Sequence, residues 1–152
     1  MAVTAFWYAN ALKNLLDRGQ NIDIDTNTIK VLLTTSAYTP NQDTHSDKGD
    51  ITNEITGTGY TAGGATLASK TVATTNNVLN VDAADPSWAG ATFTARRAAY
   101  YDDSGATDAD KALLSWNDFG ADESVTAGTF TIQHHADGIV KITAADAAGF
   151  PA

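Results

Sequence analysis

Thr92-Phe93-Thr94-Ala95-Arg96-Arg97-Ala98-Ala99-Tyr100-Tyr101 is the longest strand-like run in the chain. Read with the two-residue period of a strand, it puts Phe93, Ala95, Arg97, Ala99 and Tyr101 on one face. It also sends the adjacent Arg96 and Arg97 to opposite faces. Asp102-Asp103-Ser104-Gly105 ends the run as a turn. Downstream, Leu113 to Phe119, Thr129 to His135 and Ile139 to Thr143 read as further strands, with Ala136-Asp137-Gly138 as a tight hairpin turn between the last two. Upstream, Val78 to Val81 is a short strand closed by Ala84-Asp85-Pro86, Thr66 to Thr74 alternates, and Thr28 to Thr35 is β-branched and apolar. Seven or eight short strands with frequent turns and no βαβ rhythm predict a mainly β chain. The expected architecture is one antiparallel β-sandwich or jelly-roll-like domain over residues 1–152.

One segment reads differently. Ala5, Tyr8, Ala9, Leu12, Leu15 and Leu16 recur at three- and four-residue intervals, with Thr4 as N-cap and Gly19 where a C′ glycine belongs. The spacing predicts a short N-terminal helix over 4–18. Its first turn is apolar nearly all round, so Phe6, Trp7 and Tyr8 are expected at a contact with another copy or a partner. The stretch 144–152, small and weakly patterned but for Phe150, is expected to be a loose C-terminal arm that orders on a neighbour, which adds Phe150 to the interface set.

The glycines of Gly57-Thr58-Gly59-Tyr60-Thr61-Ala62-Gly63-Gly64-Ala65-Thr66-Leu67 do not form a phosphate loop. No Gly-Lys-Ser/Thr follows, and strand-forming residues stand where a helix would begin. They suit a long turn with positive φ ahead of a strand. With Leu32 to Pro40, Ala91 to Arg96, Leu114 to Gly120 and Gly128 to Ile132, in that order, this stretch resembles a family of small tailed-bacteriophage virion structural proteins. The resemblance covers roughly residues 10 to 143 and implies a virion component, either a head decoration (cement) protein or a tail protein.

Composition narrows the classes. Of 152 residues, 43% are hydrophobic and 18% charged, which is globular and enough for a core without staples. Cysteine is absent, which removes disulfide and thiolate chemistry. No apolar run approaches the roughly 20 residues that span a bilayer, and Met1 to Phe6 lacks a basic signal region. The expectation is a protein made in the host cytoplasm, with no membrane partner. Nine Lys and Arg against eighteen Asp and Glu give a net charge of −9, which opposes nucleic-acid binding.

Catalytic constellations are sparse. Neighbouring His134 and His135 would point to opposite strand faces, one packed and one in water, so they predict no metal site, and His45 lies in a polar loop. Asp23-Ile24-Asp25-Thr26-Asn27 starts like a calcium loop, but Thr28 and Thr34 stand where glycine and glutamate are required. Asp25 and Asn27 are instead expected to cap a turn. No Gly-x-Ser-x-Gly elbow is present, and Asp118 with Glu123 near Trp116 is the least poor carboxylate pair. The reading is therefore no enzyme, no cofactor and no metal.

What remains is a structural protein. The preferred expectation is decoration of the outer head surface, binding the major capsid protein and copies of itself, as a trimer, and stabilising the lattice. A tail protein is the alternative, set behind because the turns look short and only Pro40 to Gly64 is long enough for an exposed hairpin. A second alternative is a glycan-binding module on the virion surface, using Trp7, Trp88, Trp116 and Tyr60 as stacking platforms.

Overall fold

A computed structural model describes residues 4–8, 22–76 and 78–143. In chain order the strands are β1 (Thr4–Trp7), β2 (Ile29–Thr34), β3 (Ala65–Thr66), β4 (Thr71–Thr75), β5 (Val78–Asp82), β6 (Ser87–Asp102), β7 (Leu113–Thr131) and β8 (Val140–Thr143). They form a five-stranded sheet, β1-β7-β6-β2-β3, and a three-stranded sheet, β4-β5-β8. Every pairing within them is antiparallel, so the chain is mainly β as its alternation predicts.

β6 and β7 dominate the larger sheet, and both are longer than the sequence suggests. Residues 120–128, expected to break the chain between two strands, continue β7 as one 19-residue element. Irregular pairing lets it do so. The register passes from Ala95 opposite Glu123 to Arg97 opposite Asp118, and Gly120 takes up the slack at φ 82°. The single face expected for Phe93, Ala95, Arg97, Ala99 and Tyr101 is split at this point. Phe93 and Ala95 join the main core with Ala98 and Tyr100, whereas Ala99 and Tyr101 enter a second core on the opposite side. A strand that shifts register cannot keep one face along its length.

Both faces of the central strands are covered. Ile29, Val31 and Leu33 of β2 pack with Tyr100, Leu114 and Phe119 in the main core, while Leu32 packs with Tyr8, Ala99, Tyr101 and Leu113 in the second. Hence β2 is apolar on successive residues rather than alternating. An aromatic group closes the other end of the main core. Phe93 and Phe130 lie 5.2 Å apart, and Trp88 and Tyr60 pack edgewise beside them.

Three expectations are corrected here. Thr4–Trp7, the start of the expected 4–18 helix, is a strand that pairs with Ser115 to Asp118. An open edge on β7 pairs with that backbone, and the strand period puts Phe6 and Tyr8 on one face of the sheet, that of Trp116 and the second core. Residues 9–18 of that expected helix, and the expected arm 144–152, lie outside the described residues. The hairpin expected between Thr129–His135 and Ile139–Thr143 does not form either. The tight turn is present, with Gly138 N donating to His135 O at 2.8 Å, but the chain there leaves one sheet for the other and β8 pairs with β5. Finally, Thr66 to Thr74 is two strands, interrupted at Ser69, whose φ is 52°.

Candidate functional site

β1 delivers the aromatic residues expected at an interface, and it treats them differently. Phe6 is half-buried and stacks on Trp116, with ring centroids 4.5 Å apart and planes 20° from parallel. Tyr8 is fully buried. Its hydroxyl meets Tyr38 Oη at 2.9 Å, and Tyr38 Oη meets His45 Nδ1 at 3.1 Å. Burial, with the Tyr38 hydroxyl beside it, pushes the Tyr8 phenol well above its ordinary range. Tyr8 is therefore a core residue and offers no surface to a partner, because the second core needed a large side chain with a partner for its polar end. The Trp7 backbone lies opposite Ser115. Phe150 lies outside the described residues. Among the described side chains of this region, the Phe6–Trp116 stack is half-buried on the β1 side of the sheet, and Trp116 Nε1 is buried without a hydrogen-bond partner.

Electrostatics on the same sheet are internally balanced. Arg96 and Arg97 do not diverge. Their Nε atoms lie 2.8 and 3.2 Å from the two oxygens of Asp118, because the register shift turns both to the same carboxylate. Arg97 also donates to Tyr38 O at 2.6 Å. Partial burial would raise the Asp118 carboxyl, but the Gly120 N–H and the two guanidiniums outweigh it and hold it below the usual range. At the β6–β7 turn, Asp103 bridges Lys30 (2.7 Å) and Lys111 (3.0 Å), and Asp108 bridges Lys48 (2.8 Å) and Lys111 (3.3 Å). Lys141 pairs with Asp137. Lys70 has an unexpected site. Its ammonium donates to the carbonyl oxygens of Ile24, Asp25 and Asn27, so the calcium-like turn holds a lysine of its own chain. In the turn Asp23 accepts from Thr26 N at 3.1 Å. Asn27 reaches across to Asp102. Each of the seven basic side chains at described positions is thus engaged within the chain.

The residues weighed for chemistry are occupied likewise. His134 and His135 differ as expected, with side chains 4% and 77% exposed. The His134 ring sits between Tyr100 Oη and Ala83 O, 3.1 Å from each, and Asn117 donates to the same Tyr100 hydroxyl. Tyr38 bonds His45. Among the described residues no group of three His, Cys, Asp or Glu is placed to hold a metal ion. Asp118 is committed to its two arginines, which leaves Glu123 without a carboxylate partner suited to acid–base work. Two of the four proposed sugar platforms are lost to packing. Trp88 is buried, and Tyr60 packs on Trp88 and Phe93 while its hydroxyl donates to Glu54 at 2.7 Å. Trp116 is stacked on Phe6.

No protein-family model, curated protein or solved structure matches this chain.

Proposed function

We propose that this chain is a structural protein of a tailed-phage virion that decorates the outer head surface and stabilises the assembled capsid. The observation that carries the proposal is the ordered sequence resemblance over roughly residues 10 to 143. The structure supports it in three ways. We read the two antiparallel sheets as a small β-sandwich, because Val81 and Val140 of the smaller sheet line one gap with Ile29, Tyr100 and Leu114 of the larger. The described residues bury two cores within one chain, which suits a subunit added to an assembled coat. Its seven described basic groups are all engaged internally while the net charge is −9, which suits a protein kept apart from packaged DNA. The polar clusters described above bind their titratable members to one another or to the backbone, and among the described residues no free nucleophile–base pair is seen, so we also propose that the chain is not an enzyme.

The tail alternative asks for a hairpin free to reach a neighbour. β6 and β7 do make a long hairpin, but its turn is pinned to the body. Asp103 N donates to Thr28 O, Leu113 N donates to Ser46 O, and Lys30 and Lys48 pair with Asp103 and Asp108. We therefore keep the head as the site, with the major capsid protein as partner. Binding only the assembled lattice adds its free energy to the assembled state. Antibody labelling of particles is the direct test, and label on the head surface is expected. Particles stripped of the protein should retain DNA but release it at a lower temperature. Label confined to the tail would replace this reading with the alternative.

A further inference from the structure

We infer that β4 is a pairing edge at which two copies of this chain join their smaller sheets into one. A sheet edge exposes unpaired N–H and C=O groups and invites another strand unless something blunts it. The outer edge of β1 adjoins residues 1–3 and 9–21, which lie outside the described residues, and the remaining edges are blunted. β3 is two residues long. Beyond Asp118, β7 is broken by register shifts, by Ala127 at φ 47° and by the charges of Asp122 and Glu123. β8 carries Lys141, paired with Asp137. β4 has none of these devices. Thr71-Val72-Ala73-Thr74-Thr75 contains no charge, no proline and no glycine, all five residues are exposed, and its pairing with β5 is regular.

The surface beside that edge is the apolar one. Val72, at 45%, and Ile142, at 41%, are the exposed large hydrophobic residues of the described chain, and both lie on the smaller sheet. The register places Val72, Val81 and Val140 in one row and Thr74, Leu79 and Ile142 in the next, on the same face. That face covers the core at Val81 and Val140 and overhangs it at Val72 and Ile142.

A second copy fits as the occupant for two reasons. Copies with a net charge of −9 repel one another, so they approach best along an uncharged segment. The sequence is also compatible with itself about a two-fold axis. Antiparallel pairing centred on Ala73 sets Thr71 opposite Thr75 and Val72 opposite Thr74, which are cross-strand partners that favour a sheet and bring no like charges together. The nearest charge, Lys70, is already held by the carbonyls of the 23–27 turn. The product is a two-fold pair with one six-stranded sheet, in place of the three-fold set expected from the sequence.

Sedimentation velocity of the untagged full chain over a range of concentrations tests this. The expected result is a reversible dimer that is lost in both Val72→Lys and Thr74→Lys and kept in the control Thr126→Lys on β7. Far-UV circular dichroism should be unchanged in all three, since each position is solvent-exposed. Hydrogen exchange read per residue should show β4 amides slowing as concentration rises. A monomer at every concentration, a trimer, or a dimer that survives both β4 substitutions would overturn the inference.

Discussion

At the scale of single residues, Asp118 is the best example of a role that depends on backbone irregularity. One carboxylate accepts from Gly120 N and faces two guanidiniums that a regular strand would have sent apart. Removing it takes the acceptor from Gly120 N and Arg96 Nε and the counter-charge from Arg97 in a half-buried place, and an unsatisfied buried donor costs about 1–3 kcal/mol. Asp118→Ala should therefore lower unfolding free energy by about that amount in urea, whereas Asp122→Ala at an exposed position of β7 should change it little. Equal effects from the two substitutions would mean that the Arg96–Asp118–Arg97 group contributes no more than an ordinary surface pair. Tyr8 illustrates the opposite error of reading. Three consecutive aromatic residues near a terminus look like an interface, but a second core behind the sheet takes one of them entirely.

At the scale of elements, the glycine-rich turn before β3 is fitted to the strand beside it. Gly64 has φ 75°, and a Cβ there would lie 1.9 Å from Val31 O and 2.6 Å from Leu32 Cα. Gly120 has a similar φ of 82° but no atom within 4 Å of the same position. An L side chain in the left-handed region costs about 1–2 kcal/mol, and that is the loss expected for Gly120→Ala. Gly64→Ala adds overpacking against backbone, about 1–3 kcal/mol or more, and should unfold at clearly lower urea. If the two variants melt alike, the close approach of this turn to β2 is not a determinant of stability. Glu54 completes the arrangement by accepting from Tyr60 Oη and Gly63 N, while Tyr101 Oη donates to Gly63 O. The glycines thus serve a packed turn with its polar groups satisfied.

At the scale of the whole molecule, all five tyrosines are held above their ordinary phenol range, and burial is the first cause in each. A raised folded-state value means that their contribution is fully present below the unfolded pKa of about 10 and is lost as pH rises further. Tyrosinate absorbance should therefore stay low past pH 10 and then appear in one cooperative step with loss of near-UV circular dichroism. At the acid end the sign is reversed. Lys30 and Lys111 overcome partial burial to depress Asp103, as the arginines do Asp118. Their contribution is present above about pH 4 and lost as pH falls through the lowered values. A gradual titration of tyrosines near pH 10 in the still-folded protein would contradict the packing described for Tyr8, Tyr60 and Tyr100.

Strand propensity and the two-residue period were enough to identify this protein as a β protein and to place β2, β5 and the heart of β6, because those signals are local. Composition alone likewise established its acidity and its lack of thiol chemistry. Pairing is not local. Whether Thr4–Trp7 winds or extends depends on an open edge more than a hundred residues away, at Ser115 to Asp118. The tight turn at 135–138 reads the same whether the next strand folds back on β7 or crosses to β5. Arg96 and Arg97 converge on Asp118 only because bulges change the register between two long strands. A bulge is set by the competition of whole strands for partners, which no short window of residues records. The sequence could therefore name the kind of element almost everywhere, but the faces, the partners and the fate of each buried polar group were decided by tertiary packing.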